Sequence, residues 1–74
     1  SKLKMDITFT AHAEWRLTKR KILREEVLDA IKYPDIILKK YSKYYYQKQL
    51  GRGALEIVCE KTGKSLNIIT LYWL

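Results

Sequence analysis

Apolar positions in the first half of the chain change from an alternating to a helical period. Residues 5–9 alternate and predict a first strand. Thr10 is a residue type that favours the helix N-cap, and the residues after it predict a helix over 11–21. One sector of this helix is expected to face the core, and it contains Ala11, Trp15, Thr18 and Ile22.

A second helix is predicted over residues 23–35. Its first turn carries Glu25 and Glu26, which suit the positive end of the helix dipole, and Pro34 stops it. The inward stripe is expected to consist of Val27, Leu28 and Ile31.

After Pro34 the pattern becomes typical of strands. Residues 35–41 and 43–50 predict two strands, and the alternative is one long bent strand over 36–46. Two more strands are predicted over 54–60 and 65–74, with turns at "GRG" and "KTGK". The order βααβββ predicts an α+β domain in which two helices pack on one face of a small antiparallel sheet.

The last hairpin predicts which residues share a face. If Thr62 and Gly63 form a two-residue turn, Lys61 faces Lys64. The expected core face then holds Leu55, Ile57, Cys59, Leu66, Ile68, Thr70 and Tyr72. The other face mixes a carboxylate and an amide with apolar groups, as a binding surface does, and holds Ala54, Glu56, Val58, Asn67, Ile69, Leu71 and Trp73. A slip of one residue in the register would change these pairs.

The net charge of the chain indicates which classes of binding partner are favoured. The chain has 74 residues, which indicates one domain, and its 15 Lys and Arg against 8 Asp and Glu give a net charge of +7. Two segments, 15–24 and 36–53, contain cations and no acid. Such a field favours nucleic acid, acidic proteins or anionic membrane surfaces. The alternative is a lysine-rich surface that serves solubility or thermal stability.

Other classes are disfavoured by what the sequence lacks. No apolar run reaches the ~20 residues of a membrane span, and no signal-peptide pattern is present, so a cytoplasmic protein without membrane partners is expected. Cys59 is the one cysteine and is expected to be buried and inert. No ligand spacing for a metal occurs, so we expect neither a metal nor another cofactor.

Four side chains of the first predicted helix share a sector of about 100°: His12, Arg16, Lys19 and Arg20. An imidazole can move a proton, and guanidinium groups pair with phosphate oxygens. In the first turn the helix dipole disfavours an imidazolium, which leaves a neutral base. The alternative is a solvated stripe in which His12 only caps or packs locally.

A second candidate surface is the segment "KKYSKYYYQKQLGRG". It interleaves four tyrosines with Lys39, Lys40, Lys43, Lys48 and Arg52. Aromatic rings that stack on bases, beside cations that hold the backbone, suit single-stranded nucleic acid. By alternation Tyr44, Tyr46 and Lys48 share one face. Tyrosine is also a good strand former, so packing against the helices is the alternative.

The order of these motifs resembles a known superfamily. "T-x-H-A-x-x-R" opens the first helix, "AIKYPD" ends the second, and a tyrosine-rich strand, "G-x-L-x-I-V" and "S-L-N-I-I-T-L-Y" follow. Over residues 7–72 the chain resembles small prokaryotic domains of unknown function grouped with the RelE/ParE and BrnT toxins. The resemblance implies one RelE/ParE-like domain over 1–74, with the fold of metal-independent RNases and mRNA interferases.

The resemblance carries over His12 and Arg16 from the helix motif, Tyr46 and Lys48 from the strand region, and Thr70 and Tyr72 from the terminal strand. Together with the basic and aromatic residues described above, they define the candidate site. His12, Arg16 and Tyr46 become candidate catalytic residues: His12 moves the proton, Arg16 with Arg20 stabilises the charged phosphorane, and Tyr46 stacks or assists proton transfer. The candidate RNA-binding residues are Lys19, Arg20, Tyr44, Lys48, Arg52 and Tyr72.

The function expected from these residues is that of a toxin-like endoribonuclease acting on RNA or the ribosome. Partners considered with it are an acidic antitoxin and a second copy of the chain paired through the C-terminal strand. The alternative function is a module that binds nucleic acid or a protein without catalysis.

Overall fold

Two helices and five strands make up residues 6–74, the part of the chain that the computed structural model describes. In chain order the elements are β1 Asp6–Phe9, α1 Ala11–Arg20, α2 Arg24–Lys32, β2 Ile36–Lys40, β3 Lys43–Leu50, β4 Gly53–Thr62 and β5 Ser65–Trp73. The α+β class is confirmed. Met5, the first residue of the predicted first strand, lies outside the described residues.

The sheet is mixed, which corrects the predicted antiparallel sheet of four strands. Its order is β1-β5-β4-β3-β2, and β1 pairs with β5 in parallel while the other neighbours are antiparallel. The fifth strand arises because the chain turns at Tyr41, which has a positive φ of 59°. The two separate strands predicted over 35–41 and 43–50 are therefore confirmed as β2 and β3, and the alternative of one bent strand is wrong. The parallel pair arises because the helices lie between β1 and the rest of the sheet along the chain.

Side chains cap both helices at their first turn. The Thr10 hydroxyl accepts a hydrogen bond from the Ala13 N–H at 3.1 Å, which confirms the predicted N-cap. α1 ends at Arg20, and Lys21 follows in the left-handed conformation. α2 is shorter than predicted, and the Glu26 carboxylate accepts the Leu23 N–H at its start.

The hydrophobic core lies between the helices and one face of the sheet, which we call the covered face. The helical segment buries Ala13, Leu17, Ile22, Val27 and Ala30, and the sheet buries Tyr46, Leu55, Ile57, Cys59, Leu66, Ile68 and Leu71.

The expected inward stripes of both helices were wrong in part. Trp15 is 52 % exposed because it lies midway between the buried Ala13 and Leu17 along the helix and therefore points away from the sheet. Leu28 is 41 % exposed, whereas its neighbour Val27 is fully buried.

A β-bulge in β5 changes the predicted faces of the last hairpin. Thr62 pairs with Ser65, so the turn is Gly63 and Lys64 instead of Thr62 and Gly63. Cys59 pairs with Ile68 but Val58 pairs with Thr70, which leaves Ile69 as an extra residue.

Beyond the bulge the alternation of β5 is reversed. Leu71 is opposite Ile57 and Trp73 is opposite Leu55, so these two side chains join the covered face. Thr70 and Tyr72, which were expected in the core, move to the other face of the sheet. We call this the polar face, and it carries Tyr45, Gln47, Glu56, Val58, Thr70 and Tyr72.

Candidate functional site

A buried carboxylate holds the centre of the polar face. Glu56 is only 8 % exposed and is opposite Gln47 on β3 and Tyr72 on β5. The Tyr72 hydroxyl donates to Glu56 Oε1 at 2.7 Å, and Gln47 Nε2 donates to Oε2 at 2.9 Å. Both carboxylate oxygens therefore have a donor, which offsets the cost of removing the charge from water.

The surroundings of Tyr72 keep its phenol protonated. Burial, followed by the hydrogen bond to Glu56 and the negative charge of that carboxylate, raises the pKa of Tyr72 to about 12. The Arg16 guanidinium acts in the opposite direction and lowers the pKa of Tyr72. Tyr72 is consequently a neutral hydrogen-bond donor near neutral pH, within the electrostatic reach of a cation from α1.

Four exposed or partly exposed side chains of α1 form a cluster, which we call the α1 cluster: His12, Trp15, Arg16 and Lys19. Arg16 Nε donates to His12 Nε2 across one helical turn, at a long 3.5 Å. The centre of the exposed Trp15 ring lies 5.7 Å from that of His12, 5.8 Å from the Arg16 guanidinium carbon and 5.8 Å from Lys19 Nζ. The indole is thus surrounded by an imidazole and two cations.

Arg16 links the α1 cluster to the polar face only through its charge: it donates to His12, and its guanidinium lowers the pKa of Tyr72. His12, Trp15, Arg16, Glu56 and Tyr72 constitute the candidate site. It combines an accessible imidazole, a guanidinium, a protonated phenol and an exposed aromatic ring, a set that can bind a phosphate and a base and move a proton.

The structure brings together some of the residues that the sequence predicted and separates others. His12, Arg16 and Tyr72 lie at the candidate site, and Lys19 joins them through Trp15. Arg20 is exposed in the last turn of α1.

Tyr46 does not lie with His12 and Arg16 in the candidate site. It is 9 % exposed in the core beneath the helices, and burial raises its pKa. Tyr44 packs against the same core, and Lys48 lies on the covered side by alternation. These three residues share a face, as predicted, but it is the face opposite Tyr72.

Arg52 makes its contacts with other residues of the domain. One of its terminal nitrogens, Nη2, donates to Glu26 Oε1 at 2.6 Å and to the Lys21 carbonyl at 2.9 Å. Its guanidinium carbon is 5.0 Å from the centre of the Trp73 ring. Arg52 therefore fastens the β3–β4 turn to the ends of both helices, and its contacts are structural.

The C-terminal strand is not at an edge of the sheet, contrary to the expectation for "LYWL". β5 lies between β1 and β4, and α1 also packs against it. Trp73 is partly buried against the core. The two edge strands are β1 and β2.

Two members of the candidate site were not among the predicted catalytic or RNA-binding residues, although Glu56 was placed on a face that resembles a binding surface. Glu56 is a carboxylate in the apolar run "ALEIVCE", and a charge in such a run indicates a buried, paired group. Trp15 is an aromatic residue in the cationic segment 15–24, but it was predicted to face the core.

Cys59 is buried, as expected, and burial raises the pKa of its thiol to about 12. Across residues 6–74 no three His, Cys, Asp or Glu side chains converge as metal ligands would. Neither helix of this part of the chain is long and apolar enough to cross a membrane.

Comparison with known families places the chain in one of them. Residues 9–73 match the family described as Domain of unknown function (DUF4258), and the chain belongs to this family. Comparisons with curated proteins and with solved structures gave no match. The matched region contains every residue of the candidate site.

Proposed function

We propose that this domain is an endoribonuclease of the toxin type that cleaves RNA without a metal ion, and that it is a distant relative of the RelE/ParE and BrnT toxins. One observation carries the proposal: Arg16 donates to His12, and its charge acts on Tyr72, whose hydroxyl donates to Glu56. A base, a cation and a fixed hydroxyl are thereby coupled in a chain with a net charge of +7.

In the proposed reaction His12 takes the proton from a ribose 2′-hydroxyl. The Nε2 atom accepts a hydrogen bond from Arg16, so it carries the lone pair in the neutral ring. The 2′-oxygen forms a bond to phosphorus, and the bond from phosphorus to the 5′-oxygen breaks. The products are a 2′,3′-cyclic phosphate and a 5′-hydroxyl, which receives its proton from water.

Arg16 and Tyr72 stabilise the charge that develops during this reaction. The guanidinium pairs with the non-bridging phosphate oxygens. The Tyr72 hydroxyl is a neutral donor, since its pKa is about 12, and it turns from Glu56 toward a phosphate oxygen. Glu56, itself fixed by Gln47, positions the Tyr72 hydroxyl before RNA binds.

The remaining residues of the α1 cluster bind the RNA. The Trp15 ring stacks on an unpaired base, while Lys19 and Arg20 neutralise neighbouring phosphates. The same basic surface suits an acidic antitoxin, which would cover it.

The test is cleavage of an end-labelled RNA by purified protein in the presence of EDTA. We expect His12→Ala to cleave about 10²–10⁴ times more slowly than wild type, because positioned acid–base catalysis contributes that factor. Lys61→Ala is the matched control, since Lys61 is exposed at the far end of β4, and it should cleave as wild type does. Equal rates for His12→Ala and wild type would exclude the proposed role of His12.

A second candidate function is binding of single-stranded RNA without cleavage. The observation that favours it is the exposed Trp15 ring with Arg16 and Lys19 beside it, which is a stacking platform complete without catalysis. In this case wild type binds RNA but leaves it intact.

Binding is measured by fluorescence anisotropy at several salt concentrations. Trp15→Ala should weaken binding by about 1–3 kcal/mol for each base that stacks on the ring. Arg16→Ala should reduce the slope of log affinity against log salt by about one. An affinity that does not change with salt would exclude both functions.

A further inference from the structure

β2 is an edge strand whose apolar side chains are open to solvent. It pairs with β3 on one side, and its other side ends the sheet. All five of its residues are exposed, including Ile36 at 49 %, Ile37 at 51 % and Leu38 at 40 %. An edge of this kind presents unpaired backbone groups together with apolar surface, which is a template for another strand.

The charges at the two ends of β2 have opposite sign. Asp35 precedes the strand, and Lys39 and Lys40 end it. The Asp35 Oδ2 atom accepts the N–H of Gln49 on β3 at 2.7 Å, which holds the carboxylate beside β3 at the start of β2. Asp35 and Lys39 are four positions apart on an extended chain, about 13 Å, and cannot pair within one molecule.

A second copy of β2 complements this pattern in one antiparallel register. Around a two-fold axis at Ile37, that residue lies opposite its own copy, and Ile36 lies opposite Leu38. Asp35 then lies opposite Lys39 of the other copy, twice in the pair. The neighbouring register, with the axis at Leu38, places Ile36 opposite Lys40 and Ile37 opposite Lys39, so it loses both the apolar and the charged matches.

We propose that the chain forms a two-fold dimer by antiparallel pairing of β2 with β2 of a second copy, centred on Ile37. The dimer joins two five-stranded sheets into one sheet of ten strands. The overall charge of +7 on each copy opposes association, but at physiological ionic strength the Debye length of about 8 Å screens charges far from the strand pair. This inference is independent of the proposed function.

The dimer has a geometric consequence for the candidate site. A two-fold axis perpendicular to the sheet keeps both polar faces on the same side. The two copies of β5 are then separated by seven strand spacings, roughly 34 Å. Two candidate sites would face one long ligand from the ends of the joined sheet.

Charge reversal in separate chains tests the pairing. Asp35→Lys places two lysines opposite each other at both ends, and Lys39→Asp places two aspartates there, so each variant alone should dimerise about tenfold or more weakly. A mixture of the two variants restores opposite charges at both ends, and it should form a heterodimer with an affinity near that of wild type. Analytical ultracentrifugation over a wide concentration range measures the masses.

A cysteine scan provides a test that does not depend on the stability of the charge variants. Residues directly opposite across an antiparallel pair have Cα atoms about 4.5–5.5 Å apart, within reach of a disulfide. Ile37→Cys should form a covalent dimer on mild oxidation much faster than Leu38→Cys, and the native Cys59 is buried and does not compete.

Leu23→Lys, at an exposed leucine between the helices, is the control for loss of apolar surface and should dimerise as wild type does.

Three results would overturn the proposal. Wild type could remain a monomer at all concentrations, even if an acidic protein binds it. The mixture of charge variants could fail to restore the dimer although both variants are folded by circular dichroism. Leu38→Cys could cross-link as fast as Ile37→Cys, which would exclude the register.

Discussion

The two faces of β4 differ in how they are stabilised. On the covered face Leu55, Ile57 and Cys59 are fully buried and pack against the helices. On the polar face Glu56 and Val58 are buried almost as deeply, at 8 % and 6 % exposed, but Glu56 is held by two hydrogen bonds. One strand therefore supplies both a hydrophobic core and a fixed polar group, because its side chains alternate.

The largest effect is expected from truncation on the covered face. Ile57→Ala should reduce the free energy of unfolding by about 2–5 kcal/mol, since it removes buried methylene groups and leaves a cavity. A chain of this length is expected to have only ~4–11 kcal/mol in total. Urea denaturation followed by circular dichroism measures the change.

Val58→Ala is the matched truncation on the polar face. It should reduce the free energy of unfolding by about 1–2 kcal/mol, because it removes fewer atoms and because Val58 is not part of the core cluster beneath the helices. If Val58→Ala reduces the free energy of unfolding as much as Ile57→Ala does, the two faces of β4 are equally well packed.

Removal of the buried carboxylate should have the next largest effect. Glu56→Ala leaves the Tyr72 hydroxyl and the Gln47 amide without their acceptor, which should cost about 1–3 kcal/mol. Glu60→Ala, four residues further along the same face of β4 and partly exposed, should change stability by no more than about 0.5 kcal/mol. Equal effects in the two variants would show that the network on the polar face contributes little.

The same network predicts a dependence of stability on pH. The pKa of Tyr72 is raised from 10.0 to about 12 in the folded protein. The folded state therefore binds the proton more tightly, and this contribution is present below pH 10 and is lost as the pH rises to about 12.

Tyr72→Phe isolates the contribution of Tyr72. Its stability should fall less steeply than that of wild type between pH 10 and 12. Cys59, whose pKa is also raised to about 12, is present in both proteins, so its effect cancels in the difference. Parallel curves for the two proteins would mean that Tyr72 titrates as it does in the unfolded chain.

The smallest effect is expected at the margin of the polar face. The Thr8 hydroxyl donates to Asn67 Oδ1 at 2.5 Å between β1 and β5, in an exposed position. Asn67→Ala should change the free energy of unfolding by no more than about 0.5 kcal/mol, because water replaces the lost partner. A cost above 1 kcal/mol would extend the stabilising network to the edge of the sheet.

The helices and strands could be predicted from sequence because their signals are local. The Thr10 cap, the end of α1 near residue 21 and the turn between β4 and β5 are each marked by one or two residues. The predicted core-facing sector of α1 was wrong because it was assigned from the large apolar Trp15 and not from the small Ala13. Ala13 is fully buried at the contact with the sheet, whereas Trp15 stands in solvent among cations.

The candidate site could be predicted only in part, because its assembly depends on the bulge at Ile69. The segment "SLNIITLYW" contains no glycine or other bulge signal. The bulge is tied to a distant residue instead: the Thr10 N–H donates to the Ile68 carbonyl and the Thr10 hydroxyl donates to the Ile69 carbonyl. These non-local contacts hold the bulge that places Tyr72 opposite Glu56. The sequence of β5 alone therefore does not predict that the two residues are paired.

The parallel pairing of β1 with β5 also has a consequence for the time at which the site forms. Asp6 pairs with Ser65 and Phe9 pairs with Ile68, so the pairing closes a loop that contains nearly the whole domain. Contacts between residues so distant in sequence slow folding, because the entropy of loop closure must be overcome first. During synthesis His12 and Arg16 emerge early, but Tyr72 completes their site only after residues 65–73 have left the ribosome. The candidate site is therefore incomplete in a nascent chain until the last strand pairs with β1.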